Sequence, residues 1–263
     1  MSMSIMVVAA LAMLIVLVCS RVFIVRDVMV VGNRNLLREE VVTQSGVEIG
    51  DNMLALTSLK LKDALEQNRY IEYVGHEFDY LGTLTLRINE RMGRAVVYDL
   101  GYYYVLDERG MVLECAGSGY PTGVAGPKVT GFVIEPNSRV AVGETLPVHD
   151  KGQLEIMERV LKQLDATSLL ARASEVSVKN AENIYVLTSD GAKIVLGDTA
   201  SLHTKLLIAR EVLTLREEEG KLKGAKIDVS NGYNAHYIPA VLPTVTPVPT
   251  STPTVAPVQT PKP

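Results

Sequence analysis

The chain has 263 residues and a formal net charge of −4, which removes the bulk electrostatic attraction that a nucleic-acid binder relies on. Its two cysteines, Cys19 and Cys115, cannot easily meet, because the first lies inside an apolar run. No disulfide is therefore expected to support the fold. Tryptophan is absent and there are three phenylalanines, so no aromatic platform of the carbohydrate-binding kind stands out.

Met1 to Ser20 contains no charged side chain, and Ile5 to Val18 is unbroken apolar sequence. A helix of that length spans roughly 30 Å, the thickness of a bilayer's hydrocarbon core. A soluble helix would carry a polar face at 3.6-residue spacing, and none is present. Residues 1–21 are expected to form a single transmembrane helix. A cleaved secretory signal, with Val18 and Ser20 before the cleavage site, is the alternative, although no basic segment precedes the apolar run. Both readings send the rest of the chain across the membrane. Arg21 and Arg26 follow the helix while its N-terminal flank has no basic residue, so charge alone does not set the orientation.

A first unit covers residues 23–91. It opens on a β-branched run, 23–31, that closes in a turn at Gly32-Asn33. Asn35 is placed to cap a helix over 36–44 that Gly46 ends. Gly50-Asp51-Asn52 forms a turn, and a second helix over 58–67 sets Leu61 and Leu65 on one face. Strands over 71–78 and 83–89 complete the unit. In the second, Leu84, Leu86 and Ile88 point one way and Thr83, Thr85, Arg87 and Asn89 the other. Strand, helix, helix, strand, strand predicts two helices on one face of a three-stranded sheet.

A second unit covers residues 92–237 and is richer in strands. Short strands are predicted at 95–98, 102–106 and 111–115, the last two joined by the turn Asp107-Glu108-Arg109-Gly110. A Gly/Pro loop leads to a short strand at 128–130. A helix over 151–166 aligns Leu154, Met157, Val160, Leu161 and Leu164. Strands at 175–178, 184–188 and 193–196, a long helix over 201–219 and a final strand at 225–229 follow. The fold class is α+β. Residues 238–263 form a Pro/Thr-rich tail; eight of the chain's twelve prolines fall between Pro239 and Pro263, and no packed structure is expected there.

Catalytic chemistry has no visible seat. The four histidines, His76, His149, His203 and His236, share no metal-type spacing with one another or with a cysteine. No nucleophile elbow, phosphate loop or zinc-protease motif is present. No cofactor, metal or catalytic residue is assigned. The strand at 225–229 is predicted to close the second unit as a sheet edge, where unpaired N–H and C=O groups can recruit a partner strand.

Several segments together resemble the FtsQ/DivIB family of bacterial cell-division proteins. Val28-Met29-Val30-Val31-Gly32-Asn33 follows the apolar segment directly. Gly46-Val47-Glu48-Ile49-Gly50-Asp51-Asn52-Met53 lies between the helices. Thr83-Leu84-Thr85-Leu86-Arg87-Ile88-Asn89-Glu90-Arg91 resembles the family's T-L-x-I-x-V-x-E-R strand. The hairpin Tyr104 to Leu113, the segment Leu187 to Gly197 and Lys226-Ile227-Asp228-Val229 follow in the family's order. The family's usual proline before the second strand is replaced by Asn68-Arg69-Tyr70-Ile71.

The resemblance implies an N-in membrane span, a POTRA domain over 23–91 and an FtsQ/DivIB-type β domain over 92–237. It implies a non-enzymatic divisome scaffold at the division septum. Such a scaffold binds FtsB/DivIC-like and FtsL-like bitopic proteins outside the cytoplasm and helps regulate septal peptidoglycan synthesis. The partner contact is placed on Ile227, Asp228, Val229, Ser230, Asn231, Gly232 and Tyr233, backed by Lys193, Ile194, Val195 and Leu196. A POTRA-containing transport or assembly factor is the alternative function.

Overall fold

The structure, a computed structural model, describes residues 5–11, 13, 23–117 and 119–240. Residues 5–11 and 13 are helical. Much of the expected membrane helix over 1–21, and the tail beyond residue 240, lies outside the described residues. Among the described residues no helix is long and apolar enough to cross a membrane.

The first unit runs β1 (Asp27–Val31), α1 (Arg38–Ser45), a 3-10 turn (Met53–Ala55), α2 (Ser58–Leu65), β2 (Ile71–Phe78) and β3 (Thr83–Glu90). The strand order is β1-β3-β2, with β1 parallel and β2 antiparallel to β3. The alternation along β3 decides the packing. Leu84, Leu86 and Ile88 are buried and meet Val41 of α1 and Leu61 and Leu65 of α2 in two adjoining clusters.

Two local expectations are corrected. Asn35 does not cap α1: Leu37 takes the capping position, and the Glu40 carboxylate accepts its N–H at 2.9 Å. Strand β1 begins at Asp27 rather than at residue 23, because Ile24 makes only an isolated bridge to Asn52. Gly46 does end α1, at φ 67. Gly32 follows β1 at φ +102, with its Cα so close to β3 that an added Cβ would stand 1.8 Å from the Ile88 carbonyl oxygen.

The second unit runs β4 (Ala95–Asp99), β5 (Tyr102–Leu106), β6 (Val112–Ala116), β7 (Lys128–Thr130), α3 (Gly152–Ala166), β8 (Ala173–Ser177), β9 (Ile184–Thr188), β10 (Lys193–Gly197), α4 (Leu202–Glu218), β11 (Lys226–Asp228) and β12 (His236–Ile238). All nine strands form one sheet, ordered β12-β11-β10-β9-β8-β7-β4-β5-β6. Val129, Val176, Val186, Ile194 and Ile227 stand in register across five neighbouring strands. All five are buried, in one cluster with Met157, Val160, Leu161 and Leu164 of α3 and Leu206, Ala209 and Leu213 of α4. Apolar residues at helical spacing on α3 and α4 thus meet apolar residues at strand spacing on one sheet face.

The Glu90-Arg91 pair at the end of β3 joins the units. Glu90 accepts backbone N–H groups from Arg34, Asn35 and Leu36, at 2.5, 2.9 and 3.1 Å, and so fixes the loop entering α1. Arg91 turns the other way, into the second unit, and meets Asp107 at 2.7 Å. Glu72 of β2 then bonds Arg109 of the β5–β6 turn at 2.8 Å.

Candidate partner interface at the C-terminal sheet edge

The sheet does not end where the sequence pattern placed its edge. Strand β11 lies between two neighbours, parallel to β10 and antiparallel to β12. The expected edge strand is therefore internal. The backbone of Val229 shows why: its N–H donates to the Val195 carbonyl at 3.0 Å, and Lys193 N–H donates to Ala225 at 2.8 Å. Positions 225, 227 and 229 thus turn their backbone groups toward β10, and Lys226 and Asp228 turn theirs toward β12.

Strand β12 continues this alternation. Lys226 faces Ile238 and Asp228 faces His236 in register, so the backbone of His236 and Ile238 points inward to β11. The N–H and C=O of the intervening Tyr237 point to the open side. Among the described residues no strand pairs there. Tyr237 is held from behind: its hydroxyl donates to the Lys221 carbonyl at 2.6 Å, and the Arg216 guanidinium lies 4.6 Å from its ring centre. The expected start of the tail at residue 238 also shifts, because Ile238 belongs to β12.

The residues singled out from sequence divide into two groups. Ile227, Val229, Ile194 and Leu196 are buried, so their side chains serve the core and cannot meet a partner directly. Lys193 and Val195 are half-buried on the opposite face, the Lys193 ammonium lying 3.8 Å from the Tyr185 ring centre. Asp228, Ser230 and Asn231 build the loop between β11 and β12. Asp228 accepts from the Ser230 N–H and hydroxyl at 3.2 and 2.7 Å. Asn231 accepts from the N–H groups of Tyr233 and Asn234 at 3.0 and 3.1 Å. Burial raises the Asp228 pKa, but the Ser230 and Lys226 hydrogen bonds outweigh it and hold the carboxyl below its ordinary value.

Gly232 closes the turn at φ +74, against the Lys205 side chain. That lysine is itself buried and bonded to Asp198 at 2.6 Å. The fixed loop leaves Tyr233 87% exposed, and Ile238 at the end of β12 is 48% exposed. The predicted strands end at residue 229 and leave out His236, Tyr237 and Ile238. Their signal is present: Asn231-Gly232 is a hairpin turn pair, followed by Ala235 to Ile238 and stopped by Pro239.

Residues 23–91 match the model of the POTRA domain, FtsQ-type, and residues 95–230 match that of the cell division protein FtsQ/DivIB C-terminal domain. The chain belongs to the FtsQ/DivIB family. That family comprises non-enzymatic scaffold proteins of cell division. Because both matches are of the FtsQ type, the alternative of a transport or assembly factor is not favoured.

Cell division protein FtsQ of Anaeromyxobacter sp. (strain K) is 29% identical over 198 residues, 75% of this chain and 64% of that protein. Cell division protein DivIB of Clostridium tetani is 23% identical over 210 residues, 79% of this chain and 76% of that protein. The chain thus spans a little under two thirds of the Anaeromyxobacter protein's length. The major extracytoplasmic domain of DivIB from Geobacillus stearothermophilus aligns at a TM-score of 0.32 and 18% identity, over 49% of this chain and 97% of that domain.

Proposed function

We propose that this protein is a division-site scaffold that captures an extended segment of a bitopic partner as a further strand beside β12. The observation that carries this reading is the open backbone of Tyr237, between the exposed Ile238 and the β11–β12 loop that exposes Tyr233. Main-chain hydrogen bonds would supply affinity, and the two exposed side chains would supply selectivity. The partners in this reading are FtsB/DivIC-like and FtsL-like membrane proteins, and the outcome of their assembly is regulation of septal peptidoglycan synthesis.

The same reading anchors the chain through residues 1–21, N-terminus in, with both domains outside the cytoplasm. Its support is chemical. Residues 5–11 and 13 are helical, and Ile5, Met6, Val7, Val8, Leu11 and Met13 are each 59–72% exposed. An apolar helix that the protein itself leaves uncovered calls for lipid around it.

Site-specific photocrosslinking in dividing cells tests the interface. A photoreactive residue at Ile238 should yield an adduct with a small bitopic protein. The same residue at Glu114, on the opposite sheet edge, should not. No adduct at 238, or equal adducts at both positions, would refute the β12 site.

A further inference from the structure

The end of the POTRA domain where the chain leaves its apolar segment carries a group of exposed apolar side chains that the partner site does not use. Phe23 is 43% exposed, Leu54 63%, Tyr80 96% and Leu81 61%. They are distant in sequence but tied together by backbone. Met53 N–H donates to the Phe23 carbonyl at 2.9 Å, and Arg26 N–H donates to the Gly82 carbonyl at 2.8 Å. Ile24 bridges Asn52. The turn carrying Tyr80 and Leu81 is stiff, because the Asp79 carboxylate accepts the N–H groups of Leu81 and Thr83 at 2.9 and 2.8 Å. Asn52 does the same for the Leu54 N–H at 2.9 Å. Both loop tips are therefore held outward at a cost in exposed apolar surface that folding alone does not require.

We propose that Phe23, Leu54, Tyr80 and Leu81 form a lipid-contacting patch, seated in the headgroup region of the bilayer that holds residues 1–21. The inference rests on the membrane-anchor reading above. Its geometry is restrictive. Phe23 follows Ser20 by three residues, a reach of about 10 Å at full extension, so the patch cannot stand far from the bilayer. Its chemistry fits that depth: a tyrosine and apolar side chains suit the interfacial layer, and Arg26 beside them suits anionic headgroups. Of the nearby carboxylates, Asp27 has a cation beside it, Arg38 at 2.6 Å, whereas Asp51 and Asp79 accept backbone N–H groups, so apolar contact carries the seating. Such contacts would fix the tilt of the POTRA domain, and so the height at which the distal β12 edge is presented.

The chain contains no tryptophan, which gives a clean test. Full-length Tyr80→Trp is placed in phosphatidylethanolamine/phosphatidylglycerol vesicles with or without brominated acyl chains, and Tyr233→Trp serves as the distal control. Flotation with the vesicles, with the fluorescence of Tyr80→Trp blue-shifted and quenched by about half while Tyr233→Trp is unaffected, is the expected result for interfacial burial. Flotation without quenching of Tyr80→Trp overturns the patch and leaves the anchor standing. Quenching of both variants alike overturns it too, as contact without orientation. A chain that does not float overturns the anchor and the patch together.

Discussion

Arg91 reaches from the end of β3 to Asp107 in the β5–β6 turn, a 2.7 Å ion pair in which the two side chains are only 12% and 4% exposed. Asp107 also accepts the N–H groups of Arg109 and Met111 at 2.9 and 2.8 Å, so one carboxylate both closes the turn and receives the POTRA domain. The second arm of the guanidinium stands 3.7 Å from Glu72. A planar, forked cation is what such a pair of acceptors needs.

Removing either partner leaves a buried charge behind. Arg91→Ala should lower the unfolding free energy by about 3 kcal/mol, the usual cost of breaking a buried pair from one side. Arg91→Lys should recover only part of it, because one ammonium cannot serve both carboxylates. Denaturant unfolding of the single variants, of Asp107→Ala and of the double variant gives the coupling directly. Additive losses would show that the pair does not join the domains.

Two carboxylates at this junction make the fold acid-sensitive. Burial raises the pKa of Glu90, but the N–H groups of Arg34, Leu36 and Asn35 outweigh it and hold it below the ordinary 4.5. For Glu72, burial is likewise outweighed by the Asn89 hydrogen bond and the charges of Arg91 and Arg109. A carboxyl that binds its proton less tightly when folded contributes fully above its unfolded pKa. That contribution is lost as pH falls through the lower folded value. Stability should therefore drop below about pH 4.5. Glu90→Gln should cost about 2 kcal/mol at neutral pH, the scale of a charged hydrogen-bond acceptor, and should flatten the acid slope. An unchanged slope in that variant would rule out the Glu90 contribution.

Gly32 is a backbone requirement rather than a packing preference. Its φ of +102 is strained for a side chain, and its Cβ would overlap the Ile88 carbonyl at 1.8 Å. Gly32→Ala should destabilise the POTRA domain by at least about 2 kcal/mol, read as a shift in the thermal midpoint. A shift of less than a degree would mean that β1 and β3 can part at no cost.

What could be read without coordinates follows from range. The alternation along Thr83 to Asn89 and the helical spacing of Met157, Val160, Leu161 and Leu164 are local, and both elements fold as their patterns dictate. The E-R pair at the end of β3 was visible as a motif, but its two jobs were not. Glu90 meets residues more than fifty positions away, and Arg91 pairs across a domain boundary. The edge was misplaced for a similar reason. Lys226 and Asp228 make the three-residue β11 look like a polar margin, and β12, equally short, stands beside a proline-rich tail whose composition masks it.

That correction changes which substitution reports on partner capture. Val229 is fully buried and donates its N–H to Val195 across β10 and β11. Val229→Pro should therefore cost about 3 kcal/mol or more through a broken ladder and a displaced core side chain, and any loss of binding would follow from unfolding. Ile238→Lys is the informative change. Its side chain is half exposed, so stability should move by no more than about 0.5 kcal/mol. A charge at this edge should oppose strand addition in the way natural edges are protected. Partner recovery in membrane co-purification should fall sharply for Ile238→Lys while its thermal midpoint stays at the wild-type value. Full recovery with an intact fold would place the partner elsewhere on the β domain.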